Sequence, residues 1–230
     1  MQVALLGAAM ADAEEHLQEA YTLHRSGNYK KGMKEAQKAR KRFLKEGLPG
    51  RAVEALRVMA DCALNAHDFR EAKRLYKELL AEAREIPSPS LQAAAEWGLG
   101  EVSRYNMEYD IAAAHHETGL KLAQKTGDKW FTAWNAFGLG KSLRGLGRLE
   151  EAREMLLMAR RLFEELSLGE YVGWVDRMLT EIGGHVESKV PGEMKVWLCP
   201  QCGSKYSDSM VEKLRQGRAV TCEYCGTTVG

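Results

Sequence analysis

Four of the five cysteines form two pairs, Cys199-Pro200-Gln201-Cys202 and Cys222-Glu223-Tyr224-Cys225. Two residues between sulfurs let one tight turn present both thiolates to a single ion. The pairs are separated by 19 residues, a spacing shared with four-cysteine metal sites. Gly203 and Gly226 follow the pairs and free the backbone to wrap each turn, where amides can donate to the thiolates. Four thiolates favour tetrahedral zinc with no open coordination position, hence a structural rather than a catalytic ion. Iron is the minor alternative, because it also accepts four thiolates; a disulfide pairing fits the spacing less well. Residues 195–230 are too few to build a large core, so metal binding is expected to supply the folding energy, about 10 kcal/mol or more. Residues 207–216 read as a short helix within that unit. The fifth cysteine, Cys62, falls mid-helix and reads as a small buried hydrophobe.

Other chemistry is sparse. No nucleophile–base arrangement, phosphate loop or open metal position is visible, so an enzyme is not expected. His115-His116-Glu117 is a poor metal site, since adjacent helical residues point in different directions. Lys31, Lys34, Lys38, Lys41 and Lys45 alternate by three and four and therefore share one helix face, with Lys30, Arg40 and Arg42 nearby. That stripe is either a solvated outer face or a contact for RNA, a ribosome or an acidic protein.

The elements that must position these groups follow from proline and from an internal repeat. Pro49, Pro87, Pro89, Pro191 and Pro200 are the only prolines, which leaves residues 1–48 and 90–190 free to be helical. Tyr29, Phe69, Tyr109 and Leu149 recur every 40 residues, each just after a short polar turn. Small residues keep fixed places around them: Gly32, Ala72, Ala112 and Ala152 after, and Ala20, Ala60, Gly100 and Gly140 before. Small residues at both places let paired helices cross closely. Gly in a helix costs about 1 kcal/mol, and close packing is a reason to accept it. The spacing predicts helices over 10–26, 29–46, 51–66, 69–85, 90–106, 109–126, 129–146 and 149–166. A terminal helix over 170–182 is predicted to cap the stack.

Over residues 12–182 this pattern resembles the tetratricopeptide repeat (TPR) family in a 40-residue variety. Leu139-Gly140, Leu143, Gly147-Arg148-Leu149, Ala152 and Ala159 carry the resemblance best, followed by Leu99-Gly100, Tyr109 and Ala112. Repeats one and two depart from it, with Ala20 and Ala60 for the usual Gly and Leu23 and Ala63 for the usual aromatic. The resemblance implies an all-α, right-handed solenoid of antiparallel helix pairs whose first helices line a concave groove. By the 40-residue period, that groove would include Tyr21, His24, Arg25, Arg57, Asp61, Asn65, Trp97, Glu101, Arg104, Tyr105, Trp134, Phe137, Lys141 and Arg144. Aromatics and Arg suit binding hot spots, and the cations suggest a peptide of acidic character. The alternative for the aromatics is packing between repeats. The carboxylate clamp of some family members is not reproduced, because the equivalent places hold Leu17, Val58, Ala94 and Gly98. The cysteine unit resembles a zinc ribbon or a rubredoxin-like knuckle pair.

The expected organisation is a repeat domain over 1–182 with four repeats and a capping helix, a linker over 183–194, and a ribbon over 195–230. Its 230 residues carry a formal net charge of +1 and are 45% hydrophobic, which argues against a protein that coats polyanions over its whole surface. No apolar run reaches the roughly 20 residues of a membrane span. The apolar start, from Val3 to Ala11, lacks a preceding Lys or Arg and reads as the first turns of a helix rather than an export signal. A cytoplasmic adaptor is expected, binding a protein or peptide, with an RNA- or ribosome-associated factor as the alternative.

Overall fold

Almost every twentieth residue of the helical region turns the chain through a left-handed backbone conformation. Gly27, Gly47, His67, Met107, Gly127, Gly147 and Ser167 have φ between 59° and 78°. The series skips position 87. Proline occupies it, and its ring holds φ near −65°. The chain turns there by another route: Ile86 is extended (φ −103°, ψ 140°) and the Ser88 amide donates to Ile86 O at 2.7 Å.

The computed structural model describes residues 2–183, 188–190, 194–196, 206–223 and 227–229, with side chains over 12–183, 206–223 and 227–229 except at 208 and 215. The turns separate helices α1 (Gln2–Arg25), α2 (Tyr29–Lys45), α3 (Pro49–Asn65), α4 (Phe69–Glu85) and α5 (Pro89–Tyr105). There follow α6 (Tyr109–Thr126), α7 (Lys129–Gly145), α8 (Leu149–Glu165) and α9 (Gly169–Glu181). Pro49 and Pro89 open their helices, where the missing N–H costs nothing. Asp68 and Asp128 cap α4 and α7 by accepting the Glu71 and Phe131 amides. The apolar start of the chain is helical, so α1 begins at Gln2 rather than near residue 10.

The predicted small positions are helix crossings. A Cβ on Gly32 would come 3.3 Å from Ala20 O, and one on Gly140 would come 3.2 Å from Ala152 O. Ala20, Ala60, Ala72, Ala112 and Ala152 have no exposed surface. Each outer helix buries one stripe; on α8 it is Ala152, Leu156, Ala159 and Phe163, at helical spacing. Odd-numbered helices also pack on one another in succession, α1 on α3, α3 on α5 and α5 on α7. They therefore form the inner wall of the stack, and the even-numbered helices spread along the outside.

The apolar core has two parts. One runs through α1 to α5 and includes Leu17, Phe43, Leu56, Leu75 and Leu79. The other runs through α6 to α9 and includes Phe137, Leu156, Phe163, Val175 and Leu179. Between them lies a layer of buried polar side chains: Glu96, Glu101, Ser103, His116, Asn135 and Ser142.

Beyond α9, β1 (Ser188–Val190), within the expected linker, pairs antiparallel with β2 (Met194–Val196), which straddles the expected start of the ribbon. A short helix, α10 (Asp208–Arg215), precedes β3 (Val220–Thr221), which pairs antiparallel with β4 (Thr228–Val229). Tyr206, Met210, Val220 and Cys222 form a small buried cluster there.

Candidate functional site

Residues one repeat apart occupy equivalent places on the inner wall, and side chains of neighbouring repeats bond across it. Tyr21 donates to Glu54, and Arg57 donates to the Tyr21 hydroxyl at 3.2 Å. Arg57 also reaches Glu54 at 2.7 Å and Asp61 at 2.5 Å. Asp61 in turn accepts from the Tyr76 hydroxyl at 2.7 Å. Asn65 Nδ2 donates to His24 Nε2 at 2.8 Å. Lys141 lies 2.8 Å from Glu101, its counterpart one repeat earlier, and Arg104 lies 2.8 Å from the same carboxylate. Arg144 pairs with Glu181 of α9. The wall is thus a polar ladder that crosses repeat boundaries.

The ladder changes the electrostatics expected from the cations alone. Arg57, Arg104, Lys141 and Arg144 are each offset by Glu54, Asp61, Glu101 or Glu181. Burial disfavours charge on Glu101, yet Lys141 and Arg104 hold its carboxyl well below the usual range. The wall is therefore mixed in charge. Its exposed members are Arg25, Asn65 and Tyr105, which recur at 40-residue spacing where α1, α3 and α5 end.

The aromatics form two groups. Tyr105 stacks on Phe69 with ring centroids 4.8 Å apart, and the Arg104 guanidinium lies 4.4 Å from the Tyr105 ring. Trp97 meets Trp134 edge-on at 5.7 Å. Trp134 is the hub of the second group and also touches Trp130, Phe137, Phe163, Tyr171 and Trp174. Trp130 and Trp174 are 41% and 36% exposed, so this group reaches from the core to solvent.

A buried polar layer joins repeats three and four. His116 has no exposed surface and sits in a slot that only glycines leave open. A Cβ on Gly100 would come 2.7 Å from its ring, and a Cβ on Gly138 would come closer still. Its Nε2 is 3.5 Å from Glu101 and the Asn135 amide faces the ring, but neither ring nitrogen has a partner in good hydrogen-bond geometry. Burial drives its pKa down to about 3, against the pull of Glu101, so the ring is neutral. Leu156 fills the equivalent place one repeat later, where it contacts Gly140. His115 points elsewhere and bonds to Glu96 at 2.7 Å, so the two rings diverge.

His16 and Glu35, two repeats earlier, make the same 2.7 Å contact with the partners exchanged. With Glu19 they form a cluster whose ligand atoms lie within 4.8 Å of one another. Lys38 also bonds Glu35 at 2.8 Å, and the recurrence marks a helix-crossing hydrogen bond.

The metal-ligand candidates Cys199, Cys202 and Cys225 lie outside the described residues. Cys222 is buried next to β3, and its amide donates to Thr227 O at 2.8 Å. On α2, Lys31, Lys34, Lys38, Lys41 and Lys45 are all exposed. No described helix is long and apolar enough to cross a membrane.

Residues 91–165 match the tetratricopeptide repeat family model. No curated protein matches the chain in sequence. Among solved structures, a Rap protein complexed with competence and sporulation factor gives a TM-score of 0.68 at 17% identity, over 76% of this chain and 49% of that one. Aspartyl phosphate phosphatase F from Bacillus subtilis gives 0.67 at 13% identity, over 75% and 45%. The apo form of RapI gives 0.66 at 17% identity, over 75% and 63%. The aligned region thus spans less than two thirds of each of these relatives, and at such identities the likeness is one of fold. Residues 91–165 thus match the tetratricopeptide repeat model, and the helical region as a whole has a TPR-like solenoid fold.

Proposed function

We propose that this protein is a non-enzymatic adaptor that binds a peptide or protein segment along the inner wall of α1, α3, α5 and α7. The observation that carries this reading is the ladder itself. Polar and aromatic side chains from every repeat face one continuous surface, and bonds between repeats hold Arg57, Glu101 and Lys141 in fixed places. Preorganised groups lose little freedom on binding, which favours affinity. A structural neighbour solved with competence and sporulation factor on the same fold lends support. The mixed charge of the wall suits a segment with both signs rather than a purely acidic one.

In this reading Tyr105, Asn65 and Arg25 make direct contacts at the groove edge. Trp97, Trp134, Arg104, Lys141, Arg57 and Tyr21 shape the floor, and Arg144 closes the far end. The C-terminal unit is a zinc ribbon held by Cys199, Cys202, Cys222 and Cys225. The all-thiolate donor set and the burial of Cys222 beside β3 fit a structural ion. Such an ion would fold the unit and supply no catalysis. Reduced thiols suit a cytoplasmic setting.

Affinity selection from a displayed peptide library tests the groove. Selected peptides should bind at least 10-fold more weakly to Asn65→Ala/Tyr105→Ala than to the native chain. Both substituted residues are exposed, so the fold should survive, as a circular dichroism melt will show. Equal binding to the two proteins would reject this use of the groove.

A further inference from the structure

The outer helices carry an uneven charge that the groove does not use. Helix α2 has eight Lys and Arg residues against Glu35 alone. Five cations face four carboxylates on α4, two face two on α6, and three face five on α8. The fold consumes the arginines of α2. Arg40 bridges Glu78 at 2.7 Å and Glu82 at 2.5 Å, and Arg42 pairs with Asp12. The lysines are left outside. Lys38 pairs with Glu35, whereas Lys31, Lys34, Lys41 and Lys45 are exposed and make no ion pair among the described residues. From Lys31 to Lys45 they span about 21 Å of one helix face.

We propose that this face of α2 docks the sugar–phosphate backbone of a nucleic acid. Like charges three and four residues apart repel within a helix, and a polyanion relieves that repulsion. A duplex presents one negative charge per about 1.7 Å of its axis, denser than the lysines of the stripe, so phosphates are available along its whole length. A protein partner would need a buried apolar anchor. Leu44, 54% exposed at one end, is the single large apolar side chain that α2 exposes. With its arginines already engaged, the face has lysine point charges and no free guanidinium fork for bidentate reading of a base. Binding is therefore independent of base sequence. The stripe lies on the outer side of the solenoid, so a peptide in the groove and a nucleic acid on α2 can be held together.

Fluorescence anisotropy with a labelled 20-base-pair duplex of random sequence tests this on the full chain. Four neutralised phosphates give a slope of log K against log [salt] of about −3.6. Affinity should then fall roughly 100-fold between 50 and 200 mM salt. The variant Lys31→Gln/Lys34→Gln/Lys41→Gln/Lys45→Gln should lose binding at 50 mM salt while its circular dichroism melt stays native-like. Replacing the same four lysines with Arg should preserve both the affinity and the salt slope. Three results would each overturn the proposal: no binding of the native chain at 50 mM salt, undiminished binding by the Gln variant, or tighter binding of poly-glutamate than of the duplex.

Discussion

His116 makes the folded protein sensitive to acid in a way that can be isolated. Its ring is fully buried, and burial lowers its pKa to about 3. An unfolded chain returns it to about 6.5. Below that pH the unfolded state takes up a proton that the folded state refuses, so stability falls as pH falls. The contribution is complete above pH 6.5 and is lost progressively toward pH 3, at about 1.4 kcal/mol per unit. Between pH 7.5 and 4.5 the loss is roughly 3 kcal/mol. The matched control is His116→Leu, because Leu156 already fills the equivalent slot against Gly140 one repeat later. Urea denaturation of both proteins at pH 7.5, 6.5, 5.5 and 4.5 reads the effect. The native chain should weaken relative to the variant by roughly 3 kcal/mol across that range, with the divergence starting near pH 6.5. Parallel curves would mean that the imidazole is solvated or charged in the fold, and would refute the buried neutral ring.

Three further outcomes follow from the same geometry. Lys141→Met should cost about 3 kcal/mol in urea denaturation, the low end for a stranded buried charge, because Arg104 still holds Glu101. Adding Glu101→Gln should restore more than half of that loss, and a double variant no more stable than the single one would contradict the pairing. Met107 is 75% exposed with φ 62°, so Met107→Gly should stabilise the solenoid by about 1 kcal/mol and raise its melting temperature by about 2–4 °C. An unchanged or lower melting temperature would count against strain at that turn. Protein purified without chelator should contain one zinc per chain by elemental analysis, and Cys222→Ser should lose it while the solenoid keeps its helical signal; metal-free native protein would remove the ribbon reading.

Much of this architecture is written locally. Turns recur because Gly27, Gly47, Gly127 and Gly147 tolerate the left-handed backbone, and helices between them keep one apolar stripe. His67, Met107 and Ser167 take the same conformation only because the repeat around them demands it, and no local signal marks them. The strands β1 and β2 are three residues each, too short to show an alternating pattern amid Gly and Pro. The polar layer was harder to read, since the burial of Glu96, His116 and Asn135 arises from three helices meeting. Gly100 and Gly138 hint at it, because a glycine opposite a large side chain marks a slot. The neutralised groove was legible in part: Glu101 and Lys141 are opposite charges one repeat apart, which the 40-residue period alone aligns.

Hydrogen–deuterium exchange on the protein with and without a saturating selected peptide tests the groove most directly. Protection should concentrate in the inner helices, above all α3, α5 and α7, with α2, α4, α6 and α8 changing little. Protection confined to the outer helices, or to the C-terminal unit, would contradict a peptide-binding inner wall.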